Sequence, residues 1–486
     1  MSKIKLTISF LFLLVVLMCH ARDQVPTKQW KLRVSQNGHY IIKEDGTPFF
    51  WLGDTGWEML HRLSRQEIED YLQNRKEKGF NVIQTVVISE FIHSDRETNY
   101  YGDSVLVNED PERPAVTPGN NPEVTREYDF WDNVDFAVET ARSKGLYVGL
   151  VPSWGEWVIP RTGKGLFNNM RQAYNYGWFL GNRYSKSPNI IWILGGDRHP
   201  DERPEGLNLW RAMAEGIADG VNGIKKQDGM ADYTTTFMTH HAYNSSSTWF
   251  HKDEWIDFHM WGSYHAEINN SRAWELALKD WNLYDPKPTI NAEPCYEAHG
   301  INYAIEDNGY FTSTDVRIAA YWSVFSGAAG FTYGSQPVWQ FTDQTRKKHS
   351  KMTLTDWQEG LDLPGAKQMV FLKKIMEEII SIDLRPDQSI LISGEGSCSN
   401  RICAIRNNSM AYIYTPAGNS FTVKLGFLKG DRISFSWFDP RTGSIKPATE
   451  IDNKGEKSFD VPAMSEELSW LKTGRGCDWV LILMSK

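Results

Sequence analysis

Two acidic residues stand where they could carry out chemistry. Asp197 directly follows an apolar run in the segment WILGGDRHP, and Glu293 follows another in PTINAEPCYE. Hydrolysis of a glycosidic bond needs one carboxylic acid to protonate the leaving oxygen. It also needs a carboxylate to attack the anomeric carbon or activate water. The sequence therefore predicts paired acid chemistry, although either residue could instead form a structural ion pair or cap a helix.

Other polar and aromatic residues follow similar apolar runs and are candidate ligands for a sugar. Aromatic rings can stack on sugars, although most of them pack in protein cores. Aromatic residues make up 13% of the 486 residues, an excess that favours such stacking. Asp54 in WLGDTGW could bind a sugar hydroxyl or cap the next helix. The predicted substrate-binding residues are Asp54, Trp154, His199, His240, His241, Trp261, Tyr264, Tyr333 and Trp339.

Several other classes of protein lack support in the sequence. There is no serine nucleophile elbow, no HExxH motif and no glycine-rich phosphate loop, which argues against serine hydrolases, zinc proteases and kinases. Three histidines (His199, His259 and His265) could hold a metal, but no two of them have close spacing on one element, and we predict neither a metal nor a cofactor. A structural calcium site in a loop such as 306–308 stays open. The 52 basic and 61 acidic residues give a net charge of −9, so we expect no nucleic-acid partner.

The candidate residues need a fold that brings them together. Between residues 49 and 380, short apolar runs alternate with amphipathic stretches, which favours a (β/α)₈ barrel over 30–383. A doubly wound sheet is the alternative fold, but the sequence has no glycine-rich loop after an early strand, as a nucleotide-binding sheet of this kind would. In a barrel, Asp197 and Glu293 would end the fourth and seventh strands and face each other across the mouth. The predicted strands are 49–54, 80–89, 146–154, 189–194, 233–240, 258–264, 288–292 and 329–333, and the main helices 64–78, 128–144, 174–184, 207–218, 273–281, 315–325 and 364–380.

The two ends of the chain have a different character. Short β-rich runs separated by Gly, Asn, Asp and Pro predict a small all-β sandwich over 386–486, in which Cys398 and Cys403 could form a disulfide. Residues 1–21 combine a basic start, an apolar run and a small residue at the end, as in a cleaved signal peptide. A lipid anchor on Cys19 is the alternative. We therefore expect export to the periplasm, the cell surface or the medium, with no transmembrane segment in the mature chain.

The motifs WLGDTGW, ILGGD and NAEP, within almost the whole of residues 30–484, resemble those of the apiosidase-like glycoside hydrolase family. The resemblance implies a (β/α)₈ barrel followed by a β domain that carries a collagen-binding label. It also implies that Asp197 and Glu293 are the catalytic pair, acting on apiosyl linkages in the side chains of the pectin rhamnogalacturonan-II. By analogy with related barrels, Asp197 would be the acid/base and Glu293 the nucleophile of a retaining mechanism.

Two other classes of function remain open from the sequence. A non-catalytic carbohydrate-binding protein would keep the Trp residues but should lack the carboxylate pair. A protease or collagen-associated enzyme is suggested only by the label of the C-terminal domain and would need a metal site or a nucleophile triad. Oligomeric state cannot be read from this sequence.

Overall fold

Eight parallel strands form a nearly closed barrel in the computed structural model, which describes residues 30–90, 98–124, 126–266, 271–346, 353–397, 400–462 and 476–486. The predicted signal peptide and Cys19 lie outside the described residues. A hairpin, β1 (Leu32–Val34) and β2 (Ile41–Lys43), precedes the barrel. The barrel strands are β3 (Trp51–Thr55), β4 (Val82–Ile88), β5 (Tyr147–Ser153), β6 (Ile190–Gly195), β7 (Met238–His241), β8 (His259–Gly262), β9 (Thr289–Glu293) and β10 (Gly330–Tyr333).

Helices surround this sheet and connect its strands. They are α1 (Met59–Arg62), α2 (Arg65–Glu77), α3 (Phe130–Ser143), α4 (Met170–Arg183), α5 (Gly206–Val221), α6 (Ser247–Phe250), α7 (Arg272–Trp281), α8 (Ile305–Asn308), α9 (Ser313–Phe325), α10 (Gln336–Trp339), α11 (Trp357–Gly360) and α12 (Pro364–Ile379). The predicted (β/α)₈ fold is confirmed.

The sheet closes in two ways. β3 and β10 pair in parallel, so the first and last barrel strands are neighbours. Three hydrogen bonds hold the seam between β7 and β8. The Asp257 N–H donates to the Met238 carbonyl at 2.9 Å, the Met238 N–H donates to the Asp257 carboxylate at 2.8 Å, and the Thr239 hydroxyl donates to the Phe258 carbonyl at 2.6 Å. All eight strands are buried along their full length, because side chains fill the interior and helices cover the outside.

The start of α2 shows how local sequence determines these elements. The Ser64 hydroxyl accepts from the Glu67 N–H at 3.3 Å, and the Glu67 carboxylate accepts from the Ser64 N–H at 2.8 Å, which together form a capping box. The chain leaves the helix at Gly79, whose φ of +83° suits glycine. A side chain there would also collide with Val370 on α12, since a Cβ would lie 2.6 Å from its Cγ2.

The C-terminal domain is built from two antiparallel sheets around one apolar core. Its strands are β11 (Arg385–Pro386), β12 (Leu391–Ser393), β13 (Cys403–Arg406), β14 (Met410–Thr415), β15 (Phe421–Lys424), β16 (Arg432–Phe438), β17 (Thr449–Asp452), β18 (Glu456–Phe459) and β19 (Trp479–Ser485). The sequence did not predict β17 and β18, because TEID and EKSF are too polar to read as strands. The predicted Cys398–Cys403 disulfide is wrong: Cys403 is a buried free thiol, and Cys398 lies outside the described residues.

This domain packs on the barrel through α9, the helix that follows β9. The Arg317 guanidinium on α9 donates two bonds of 2.9 Å to the Asp478 carboxylate, and both side chains are buried. Nearby, the rings of Tyr321 and Tyr414 stack with their centroids 4.7 Å apart. A buried ion pair and a stacked pair of rings therefore join the C-terminal domain to the barrel. In the described part of the chain, no helix has the length and apolar character to cross a membrane.

Candidate active site

The fourth and seventh barrel strands deliver Asp197 and Glu293 to the same opening. After β6 the chain turns through Gly195 and Gly196, with φ of +94° and +131°, and Asp197 itself adopts a left-handed φ of +43°. A Cβ on Gly196 would lie 2.7 Å from the indole of Trp154, so this close approach requires glycine. Left-handed backbone at a non-glycine residue is a form of strain found at functional sites.

The two carboxylates face each other at short range. One oxygen of Asp197, one oxygen of Glu293 and one ring nitrogen of His241 all lie within 4.8 Å of one another. Glu293 is buried, whereas Asp197 is partly open to the barrel mouth. A metal ion could bind to the same three atoms, and the absence of a metal from the reaction stays a prediction.

The surroundings of Asp197 raise its pKa and so favour the protonated form more than water does. Burial, and then the negative charge of Glu293, raise the pKa of Asp197 to about 6. The Tyr264 hydroxyl donates to Asp197 Oδ1 at 3.0 Å, which stabilises the ionised form and limits the rise. An acid with a pKa near the working pH is what general acid catalysis requires.

Glu293 has the opposite electrostatic setting. Burial by itself would raise its pKa, but the imidazoles of His241 and His265 outweigh burial and lower the pKa of Glu293 to about 2. His241 Nε2 lies 3.3 Å from Oε2, and His265 Nε2 lies 3.6 Å from Oε1. Two neighbouring carboxyl groups with pKa values moved apart are the signature of an acid and a nucleophile or base.

Three of the predicted substrate-binding residues surround this pair. His241 contacts Glu293, Tyr264 bonds Asp197, and the ring of Trp154 lies 5.7 Å from that of His241. His199 is half-buried near the rim, where its ring lies 5.1 Å from that of Trp249. Trp339 is also partly exposed, and its indole N–H donates to Gln336 Oε1 at 3.0 Å.

The structure gives four other predicted residues a structural role instead, because their side chains are fully buried against the helices. Asp54 accepts from Arg75 at 2.7 Å and from Tyr71 at 2.5 Å, both on α2. His240 packs between Trp210 and Phe250, on α5 and α6.

The two remaining members of this group are aromatic. The Tyr333 hydroxyl donates to Glu297 at 2.7 Å. Trp261 donates to Thr289 at 2.8 Å and packs with Ala277 of α7. None of the four is accessible to a substrate.

Sequence reasoning missed other residues that line the pair. Trp57 donates through its indole N–H to the Tyr296 hydroxyl at 2.9 Å, and its ring lies 5.6 Å from that of His241. Tyr296 also packs on His265, with ring centroids 4.6 Å apart. His265 directly follows Tyr264, a signal that could have drawn it into the predicted site. Nothing in the sequence indicates that Trp57 and Tyr296 meet.

The barrel and the carboxylate pair at the ends of its fourth and seventh strands define a glycoside hydrolase. Residues 35–382 match the family model described as "Apiosidase-like, catalytic domain", and the chain belongs to this family. Residues 385–484 match a second model, described as "Putative collagen-binding domain of a collagenase".

Solved structures support the same class. A glycoside hydrolase is 30% identical with a TM-score of 0.79, covering 95% of this chain and 98% of that one. A glycoside hydrolase family 5 protein from Bacteroides vulgatus is 31% identical with a TM-score of 0.80, covering 95% and 94%. A search of curated proteins finds no match. The protein is therefore a glycosidase that acts on a carbohydrate substrate.

Proposed function

We propose that the protein cleaves apiosyl linkages in the side chains of the pectin rhamnogalacturonan-II by a retaining mechanism. The family match supports the choice of sugar. The observation that carries the chemistry is the facing pair of Asp197 and Glu293, with oxygens within 4.8 Å and pKa values moved to about 6 and about 2.

The spacing supports retention of configuration. Retaining glycosidases hold their carboxyl groups about 5–5.5 Å apart, and inverting enzymes leave about 6.5–9.5 Å for a water molecule. One oxygen of Asp197 and one of Glu293 lie within 4.8 Å of each other, which fits the shorter of these two separations better than the longer. Direct attack by one carboxylate is the mechanism that fits this gap.

The raised pKa of Asp197 and the lowered pKa of Glu293 indicate which residue is the acid and which is the nucleophile. Asp197, the group with the raised pKa, protonates the leaving oxygen. Glu293, kept ionised by His241 and His265, attacks the anomeric carbon and forms a glycosyl ester. Asp197, now ionised, then removes a proton from the water that hydrolyses this ester, which restores both groups to their starting states.

The predicted signal peptide supports a polysaccharide substrate. The segment 1–21 has the composition of a signal peptide, and a plant cell-wall polymer is met outside the cytoplasm. We propose a periplasmic, cell-surface or extracellular location. The C-terminal domain would then serve to support the barrel through its contact with α9.

The test is product release from rhamnogalacturonan-II oligosaccharides and from a panel of other glycosides. We expect an apiosyl-containing product from the wild type, and losses of several orders of magnitude in Asp197→Ala and Glu293→Ala. Glu297→Gln is the matched control, since Glu297 is a buried carboxylate nearby that bonds Tyr333 and Gly365 rather than the pair. Cleavage of a different glycoside would contradict the sugar, and activity in either Ala variant would contradict the pair.

A further inference from the structure

His265 is held in one tautomer by the backbone. Its Nδ1 accepts a hydrogen bond from the Tyr296 N–H at 3.3 Å, so in the neutral ring the proton is on Nε2. That Nε2 lies 3.6 Å from Glu293 Oε1. Catalytic contacts of this length in a structure without substrate are expected to shorten when substrate binds. His265 is thus placed to donate to Glu293.

A second histidine covers the face of this ring. His299 stacks on His265 with ring centroids 4.0 Å apart and an interplanar angle of 20°. Its own Nδ1 lies 2.8 Å from the Gly300 carbonyl, which can only accept, so that nitrogen carries the proton. Burial, and then the proximity of His265, lower the pKa of His299 to about 3, so the His299 ring is neutral near pH 7.

The loop after β9 fixes both rings. The Asn302 N–H donates to the His265 carbonyl at 2.7 Å, which fastens the backbone of His265 to this loop. The ring of Tyr303 meets His299 at 5.1 Å and His265 at 5.7 Å, both nearly edge-on. Asn302 and Tyr303 both adopt left-handed φ, of 52° and 60°, a costly backbone that the surrounding contacts must hold in place.

We propose that His299 is a positioning residue for the glycosidase reaction, because its ring holds His265 in the orientation that directs Nε2–H at Glu293. The proposal rests on the proposed role of Glu293 as nucleophile. Among the described residues, the direct packing contact of His299 with this part of the site is its stack on His265, and we place its effect there. Its effect should fall on the chemical step and not on binding of the sugar.

Two variants of His299 distinguish the packing of its ring from the hydrogen bonding of its nitrogens. His299→Ala removes the ring, and we expect kcat on 4-nitrophenyl apioside to fall about tenfold or more with KM within about twofold, since small misplacements of reacting groups are costly. His299→Phe keeps a flat ring at the same place, and we expect it to recover most of the lost kcat. His39→Ala is the control, because His39 stacks on Trp281 at 3.5 Å in the N-terminal hairpin region, away from the carboxylates.

A second readout isolates the nucleophile. The rate at which a 2-deoxy-2-fluoro apioside labels Glu293 should fall in His299→Ala by the same factor as kcat, and should not change in His39→Ala. The proposal is overturned if folded His299→Ala keeps wild-type kcat and labelling rate, or if the Phe variant falls as far as the Ala variant. A wild type that is never labelled on Glu293 would overturn the proposed function itself, and that outcome does not depend on any variant.

Discussion

Tyr264→Phe should make the enzyme faster at neutral pH. Asp197 has a pKa of about 6 and must be protonated to act as the acid. Tyr264 donates a hydrogen bond of 3.0 Å to its carboxylate and so lowers that pKa. Burial, and then the charges of Asp197 and Glu293, raise the pKa of Tyr264, so its hydroxyl remains a donor throughout the working range. Tyr264→Phe removes the hydroxyl that stabilises the ionised form of Asp197, and the pKa of Asp197 should therefore rise.

The size of the effect follows from the strength of that bond. A hydrogen bond to an ionised group is worth roughly 1.5–3 kcal/mol. Taking the lower end for a partly exposed carboxyl, the pKa of Asp197 rises by about one unit, since one unit is about 1.4 kcal/mol. At pH 7 the protonated fraction then grows from about a tenth to about a half, so kcat/KM should increase about fivefold.

The measurement is the pH profile of kcat/KM from pH 4 to 9 for both proteins. We expect the basic limb of Tyr264→Phe to lie about one unit higher, with similar rates on the plateau below it. The ring itself stays, and with it the stack on Tyr243, whose centroid lies 4.8 Å away. A basic limb that does not move, or that moves to lower pH, would refute the assignment of Asp197 as an acid controlled by Tyr264.

Two further predictions concern stability. Asp54→Ala leaves the buried Arg75 guanidinium without its carboxylate partner and should cost about 3–5 kcal/mol in the free energy of unfolding by urea titration. Asp362→Ala, which removes the pair between the exposed Asp362 carboxylate and Lys78, should cost less than about 1 kcal/mol. Equal costs would contradict the structural role of Asp54. Asp478→Ala removes the carboxylate that pairs with Arg317 where the two domains meet. We expect Tm to fall by several degrees and kcat at 25 °C to stay within about twofold of the wild type. A large loss of kcat at unchanged Tm would show that the C-terminal domain takes part in the reaction.

The meeting of Asp197 and Glu293 at one opening was predictable, because barrel topology alone brings the ends of the strands together. Alternating apolar and amphipathic runs gave the eight strands, and the two acidic residues followed the fourth and the seventh. The geometry that separates their pKa values was not predictable. It depends on His241 at the end of β7 and His265 just after β8 reaching Glu293, and sequence spacing carries no information about those distances.

The four misplaced binding residues share one physical reason. Successive side chains in a strand point to opposite faces, so of two neighbouring polar residues only one can enter the barrel. His241 points in and His240 points out, and Asp54 likewise points out to α2. In strands that are apolar on both faces, the sequence has no alternation from which the inward face could be read.

The most direct test of the two-carboxylate mechanism is to trap its intermediate. The wild type is treated with a 2-deoxy-2-fluoro glycoside of the sugar that it cleaves, then digested with a protease and mapped by mass spectrometry. A glycosyl ester on Glu293, together with a first product of retained configuration, is the result that we predict. An inverted first product, or an ester on Asp197, would contradict the assignment of Glu293 as nucleophile and Asp197 as acid.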